Sequence, residues 1–328
     1  MKSIAISPAK IILFGEHFVV TGNTAISMAV DLPTVVRVRT ESGNKMMITS
    51  KDLAISATFA TKSGDLLRAT SDDSQRALRP VFEAAQFTLN KYGVDSGLAI
   101  TVASDAPIGM GLGSSAATAV ATVSAISTAL GKEISRQEIF EAAYSLERIV
   151  HGRPSGVDQA TVTFGGLITF RSGHIQSHLT VENPPSMLIG NTRKRRSTAK
   201  LISKVTELRQ SDPTRYDQLA SDAQSIADEA IKALAEGNMS EIGNLMNRNQ
   251  ELLELVGVSS PELERLICAA RASGALGAKL TGGGGGGCMI ALTDNSTSHV
   301  ARAIVDAGGE VFRGVLMPEG VKASREGE

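Results

Sequence analysis

The chain has 328 residues, and 33 Lys and Arg against 34 Asp and Glu leave a formal net charge of −1. That balance excludes a bulk polycation for nucleic acid and an acidic solvating tail, and a 42% hydrophobic share excludes global disorder. The 2 cysteines, Cys268 and Cys288, are too few for a disulfide framework and lack metal-site spacing, which predicts a reducing, cytoplasmic setting. The N-terminus has no apolar leader. The most apolar segment, 116–130, is interrupted by Thr118, Thr122, Ser124, Ser127 and Thr128. It falls short of the roughly 20 apolar residues of a membrane span. Neither a membrane nor a nucleic-acid partner is expected.

The N-terminal part predicts strands at Ser3-Ile-Ala-Ile, at Lys10-Ile-Ile-Leu-Phe and, by partial alternation, at Thr34-Val-Val-Arg-Val-Arg-Thr. A helix is predicted over 76–92, stopped by Gly93, with a strand at Leu98-Ala-Ile-Thr-Val-Ala. Pro107-Ile-Gly-Met-Gly-Leu-Gly-Ser-Ser-Ala-Ala then runs directly into an Ala-rich helix. Ser135-Arg-Gln-Glu138 reads as a capping box. It opens a helix with Ile139, Phe140, Ala143, Leu146 and Val150 on one face, which Pro154 should end near Arg153. Gly165-Gly166 precedes a β-like Leu167-Ile-Thr-Phe. Asn183-Pro-Pro marks the expected boundary between domains 1–182 and 183–328. Beyond it stand a strand at Met187-Leu-Ile, a basic loop over 191–198 and helices over 216–235 and 239–255. Ser260-Pro261 opens another helix, which Gly274 should stop. Lys279-Leu-Thr and the glycines of 282–287 lead into Met289-Ile-Ala-Leu, and a helix over 298–307 and a strand over 310–316 close the chain.

The chemistry-bearing residues gather in a few segments. Gly109, Gly111 and Gly113 permit positive φ and close approach to a ligand. The helix that follows offers unpaired amides to a phosphate, and its leading serines could ligate Mg²⁺. A flexible connector before a capped helix is the plain alternative. Neither a Walker loop nor a strict G-x-G-x-x-G occurs at this place. The run 282–287 costs chain entropy on folding, so it should wrap closely around a ligand or another backbone. A linker is disfavoured by the apolar flanks Lys279-Leu-Thr and Cys288-Met-Ile-Ala. Lys10, beside Ile11 to Leu13, either holds an anion and acidifies a substrate hydroxyl or snorkels from a strand. His17, taken singly, reads as structural. Glu147 near a helix end and Asp158 past a tight turn could take separate roles in phosphoryl transfer, or each could be a surface salt-bridge partner. Arg193-Lys-Arg-Arg is a solvated loop or an anion site, and its isolation argues against nucleic acid.

Pro8-Ala-Lys-Ile-Ile-Leu-Phe-Gly-Glu-His, the glycine loop with its serines, and Lys279-Leu-Thr before the glycine run stand in the order of the GHMP kinase superfamily, which the chain resembles. The segment Glu147-Arg-Ile-Val-His-Gly-Arg-Pro-Ser-Gly-Val-Asp158 is similar to the mevalonate kinases within it. The resemblance implies an α+β fold of two domains, an N-terminal β/α domain and a C-terminal ferredoxin-like α+β domain, with the active site in the cleft between them. It implies ATP-dependent phosphorylation of the 5-hydroxyl of mevalonate, with Mg²⁺ as cofactor and a homodimer as a family expectation.

It also implies roles. Asp158 would take or orient the hydroxyl proton, and Lys10 would stabilise the alkoxide and the transferring phosphoryl group. Pro107, Gly109, Gly111, Leu112, Gly113, Ser114, Ser115 and Ala116 would wrap the ATP phosphates. Ser115 and Glu147 would ligate Mg²⁺. Glu16, His17, Ser155, Arg196, Thr198, Gly283 and Gly284 would hold or shape the site for substrate, with Arg196 near its carboxylate. The chain lacks the insertions of animal members, and the basic loop suits a more anionic acceptor such as phosphomevalonate. A phosphomevalonate kinase, another small-molecule kinase of the superfamily and a non-catalytic nucleotide-binding regulator are the alternatives. The presence of both Lys10 and Asp158 disfavours the regulator.

Overall fold

The computed structural model describes residues 1–328 except 152, 153, 195–197, 295 and 328, with the backbone alone at 149–151, 198–200 and 202. The first part of the chain supplies β1 (Lys2–Phe14), β2 (Ala25–Glu41), β3 (Lys45–Ser50), β4 (Ile55–Ala60) and β5 (Leu66–Ala69). Helix α1 (Asp72–Tyr92), β6 (Gly97–Ser104), α2 (Ser114–Ala129), α3 (Arg136–His151), α4 (Val157–Phe164), β7 (Leu167–Arg171) and β8 (His174–Leu179) follow. The second part runs β9 (Met187–Asn191), α5 (Thr198–Ser211), α6 (Pro213–Glu236), α7 (Met239–Leu255), α8 (Pro261–Ala272), β10 (Gly277–Leu280) and β11 (Cys288–Leu292). It ends with α9 (Thr297–Asp306), β12 (Glu310–Gly314) and β13 (Lys322–Arg325).

The first sheet has the order β13-β1-β2-β6-β3-β4-β5, with β7 and β8 joined through β2. Its pairings are antiparallel except β3 with β6. β2 is long enough to serve two neighbours, β6 along residues 34–41 and β7 along 25–28. Helix α2 packs on β1 and β2, α1 on β3 and β4, and α3 against α2 and α4. The second sheet is antiparallel in the order β10-β11-β9-β12. With α9 between β11 and β12, this is the βαββαβ path of the expected ferredoxin-like fold. Its first crossover is enlarged to α5–α8.

Local chemistry explains most boundaries. The expected pair of short runs at the N-terminus is one strand, β1, because Pro8 falls where the register with β2 shifts between Ser7 and Ala9. A bulge is the place in a sheet where a missing N–H is tolerated. Helix α1 starts at Asp72, earlier than expected, because Ser71 and Ser74 form a capping box, and Gly93 ends it at φ 63°. The Ser135 capping box forms as predicted: the Glu138 amide donates to Ser135 Oγ at 3.2 Å and the Ser135 amide to Glu138 Oε2 at 2.9 Å.

The differences from expectation are instructive. Asp158 lies past the bend at Gly156 and already within a helix, α4, which was not expected. Helix α5 begins where the basic loop was expected to end. Strand β13, Lys-Ala-Ser-Arg, is exposed along its length and carries no apolar alternation. It forms because the free edge of β1 offers backbone partners at residues 3–6.

One apolar cluster bridges the sheets. Ile11, Leu13 and Met28 of the first share it with Ile189, Leu280 and Met289 of the second. We propose the division at 182/183 as the boundary between two domains that share this core. It falls between β8 and β9 and sends the last strand back to the first sheet.

Candidate active site

The site forms where β1 passes under the start of α2. Lys10 sits on β1 and is 1% exposed. Its amide donates to the Leu112 carbonyl at 2.9 Å, which ties the glycine loop to the strand. Its alkyl stem lies under the loop: a Cβ on Gly113 would stand 2.7 Å from Lys10 Cγ, at φ +75°. Only glycine lets the loop close on the lysine in this way. Gly113 is also the N-cap of α2 and has no side chain with which to satisfy the first amides. Those amides, with the positive end of the helix dipole, form an anion site.

The Lys10 ammonium meets Asp158 Oδ1 at 2.8 Å. Asp158 is in the first turn of α4, where the helix dipole favours a carboxylate. The two partners differ in exposure: the lysine side chain is 2% accessible and the aspartate 37%. The pair therefore presents its carboxylate to solvent and keeps its ammonium under cover, so a polar substrate group can reach Asp158 beside a fixed cation.

A cavity of about 350 Å³ opens beside the loop, and its lining includes Gly109, Ser114, Ser115 and Glu147 together with apolar groups such as Leu53 and Val81. Ser115 is exposed and Glu147 half-buried. A hydroxyl and a carboxylate lining one cavity are hard oxygen donors, which fits Mg²⁺ held jointly with nucleotide phosphates. Among the described residues no group of three or more His, Cys, Asp or Glu could hold a metal unaided.

The remaining expected residues divide. Leu112 and Ala116 are buried in apolar clusters, so only their backbones are available to a phosphate. Pro107 and Ser114 are half-buried and Gly111 is buried with φ 95°. Ser155 is half-buried, and its Oγ accepts from the Val157 amide at 3.4 Å, just ahead of Asp158. His17 is half-buried and its Nε2–H donates to the Gly283 carbonyl at 3.0 Å. Arg196 lies outside the described residues, and Thr198 opens α5.

Protein contacts account for two further residues, Gly284 and Glu16. Gly284 faces protein: a Cβ there would lie 2.1 Å from the Val258 carbonyl oxygen. Gly286 and Gly287 likewise approach the carbonyls of Lys194 and Met110, so the run wraps other backbone. Glu16 is sealed, 1% exposed, in an ion pair with Lys279. Burial raises its carboxyl and Lys279 pulls it back down, while burial lowers the Lys279 ammonium.

Sequence reasoning gave no role to the Lys279 and Thr281 side chains, both fully buried. The available signal was a lysine inside an apolar strand, which a folded interior accepts only with a partner.

The GHMP kinases N terminal domain family matches residues 79–166, and the GHMP kinases C terminal family matches 230–311. A mevalonate kinase of Thermococcus sibiricus is 36% identical over 100% of this chain and 98% of its own length. The chain belongs to the mevalonate kinase family of the GHMP kinases. The solved mevalonate kinase of Methanococcus jannaschii superposes with a TM-score of 0.83 at 28% identity, over 96% of this chain and 98% of that one. The mevalonate kinase of L. major, solved in complex with R-mevalonate, gives 0.81 at 28% identity over 96% of each chain. Family membership thus spans both sheets and all the motifs above.

Proposed function

We propose that the chain transfers the γ-phosphoryl group of ATP to the 5-hydroxyl of mevalonate. The observation that carries the chemistry is the Lys10–Asp158 contact at 2.8 Å, beneath a loop that opens onto a helix N-terminus. The family relation carries the acceptor.

The loop amides over 109–115 hold the phosphates of ATP, and the neighbouring cavity takes the base and ribose against its apolar wall. Asp158 receives or orients the proton of the acceptor hydroxyl, whose oxygen attacks the γ-phosphorus in line. Lys10 lies against both the carboxylate and the loop, so it can stabilise the alkoxide and the equatorial phosphoryl oxygens as negative charge spreads. Holding the acceptor and the phosphates at fixed positions supplies the entropic part of the acceleration. Mg²⁺, when bound, neutralises phosphate charge, and Ser115 and Glu147 are the groups that would hold it.

ATP use follows from the kinase family, and Mg²⁺ is part of the proposal. So is a cytoplasmic location, which suits a chain with only 2 cysteines. No helix among the described residues is long and apolar enough to cross a membrane.

The deciding experiment couples ADP release to Mg-ATP turnover with mevalonate, 5-phosphomevalonate, galactose or homoserine as acceptor, with ³¹P NMR of the product. Turnover on mevalonate with a 5-phosphate product is expected, and turnover on another acceptor alone would overturn the assignment. Glu147→Gln should raise the Mg²⁺ concentration for half-maximal rate by about tenfold, and an unchanged titration would remove Glu147 as a ligand.

A further inference from the structure

Two ion pairs of the site are linked electrostatically through Lys10 and Glu16. Lys279 is fully buried and paired with Glu16, whose Oε1 it contacts, and its ammonium also donates to the Leu280 carbonyl at 2.8 Å. The second Glu16 oxygen, Oε2, is buried and has no hydrogen-bond partner among the described residues. Lys10 acts electrostatically on the same carboxylate. Glu16 is therefore held directly by Lys279 and more weakly drawn by Lys10, whose direct partner is Asp158.

The backbone keeps Glu16 in this place. His17 stands at φ 63°, ψ −43°, and the Phe18 amide donates to the Glu16 carbonyl at 2.7 Å. This is a γ-turn of the rare, strained hand, a conformation that persists only where the surroundings over-determine it. The surroundings are the segment 279–283. It holds Glu16 through Lys279 and the His17 ring through the Gly283 carbonyl. Thr281 adds a reciprocal clamp: its Oγ accepts from the Ile12 amide at 2.8 Å and donates to the Ile12 carbonyl at 3.0 Å. The end of β1 is thus fastened to the start of the glycine run.

We propose that Lys279 is a positioning residue for phosphoryl transfer: by engaging Glu16 it leaves the Lys10 ammonium to Asp158 and to the transferring group. Lys279 itself touches no reacting atom. Without it, Glu16 keeps a buried carboxylate with an acceptor left open by the described residues, and the cation among them that still acts on it is Lys10. An unpaired buried charge is costly enough to redirect a neighbour, so Lys10 would be drawn off Asp158. The inference rests on the phosphoryl-transfer reading above and adds the residue that keeps its lysine in place.

The test compares wild type, Lys279→Met, Glu16→Gln and the double variant at saturating acceptor and Mg-ATP. Lys279→Met should lower kcat by about 100-fold, the scale of a misplaced electrostatic group. Its KM for ATP should stay within about twofold, because the phosphate loop is untouched. The double variant should regain about tenfold over Lys279→Met, since it leaves no lone carboxylate to compete for Lys10. A double variant no better than Lys279→Met overturns the proposal, as does a Lys279→Met kcat within about threefold of wild type.

If Lys279→Met does not fold, the double variant is compared with Glu16→Gln. Equal kcat supports the proposal, because with Glu16 neutral there is no carboxylate for Lys279 to keep from Lys10. A further loss of about tenfold overturns it. Failure of the acceptor assignment is read separately, as absent wild-type turnover on mevalonate. The same ratios are then taken on whichever acceptor the wild type uses, or on ADP release into water.

Discussion

Lys10–Asp158 and Lys279–Glu16 are the same chemical contact in two different settings. In the first, the aspartate is 37% accessible and sits at a helix N-terminus. In the second, both side chains are 0% accessible and one carboxylate oxygen has no hydrogen-bond partner among the described residues. A half-open pair can exchange its partner for a substrate group, because water and a helix dipole support the carboxylate during the exchange. A sealed pair cannot, because no water stands ready to replace the partner as the main offset to each charge's lost hydration. Exposure thus separates the pair that can do chemistry from the pair that holds the chemistry in place.

The sharpest way to break this comparison is Asp158→Asn. It should fold and bind ATP yet lose about 10³-fold in kcat, the range of a general base or orienting group. Near-normal turnover would remove the open pair from catalysis. Stability gives the opposite ranking. Lys279→Met should cost about 3–5 kcal/mol in urea unfolding, because it strands a buried carboxylate. Lys10→Met should cost about 1 kcal/mol on the same assay, because Asp158 can turn to water. Equal losses would mean that exposure does not distinguish the pairs.

Gly113→Ala sharpens the open side. The new Cβ falls on Lys10 Cγ at φ +75°, so about tenfold in kcat should be lost with about 1–2 kcal/mol of strain. An unchanged kcat would show that the loop and the lysine are not coupled.

The smallest effect is expected at Glu138, an exposed carboxylate that pairs with Lys91 at 2.9 Å. The Ser135 amide, with help from Lys91, lowers its carboxyl to about 2. A depressed folded value means that its contribution to stability is present above the ordinary value of 4.5 and is lost as pH falls toward 2. Glu138→Gln should therefore narrow the gap in stability between pH 5 and pH 2 slightly and leave turnover untouched. A change in kcat would tie this surface pair to the site.

Much of the fold could be read along the chain because its signals are local. The Ser135 and Ser260 caps, the stop at Gly93 and the helix-leading glycine loop each act within a few residues. Helix α4 was less legible. It is 8 residues long, and it follows Pro154 and Gly156, so its apolar face is too short to set a period. Strand β13 carried no pattern at all, since an exposed edge strand is selected by the partner it finds rather than by burial. Within the site, Lys10, Asp158 and the glycine loop were named by motif. The motif did not show that Glu16 is sealed against Lys279, because a motif shows which residues gather and not which of them face solvent.

By itself the sequence determined the family, the order of the motifs, the helix caps and the residue types required at the phosphate loop, since each depends on nearest neighbours or on a contiguous pattern. Only the tertiary structure decided that Lys279 meets Glu16 across a separation of 263 residues, and that Thr281 clasps Ile12 across 269. It also decided that the glycine run closes on the backbones of Val258, Lys194 and Met110. These contacts follow from how two sheets share one core. A buried charge or a close backbone approach is decided by what arrives from elsewhere in the chain.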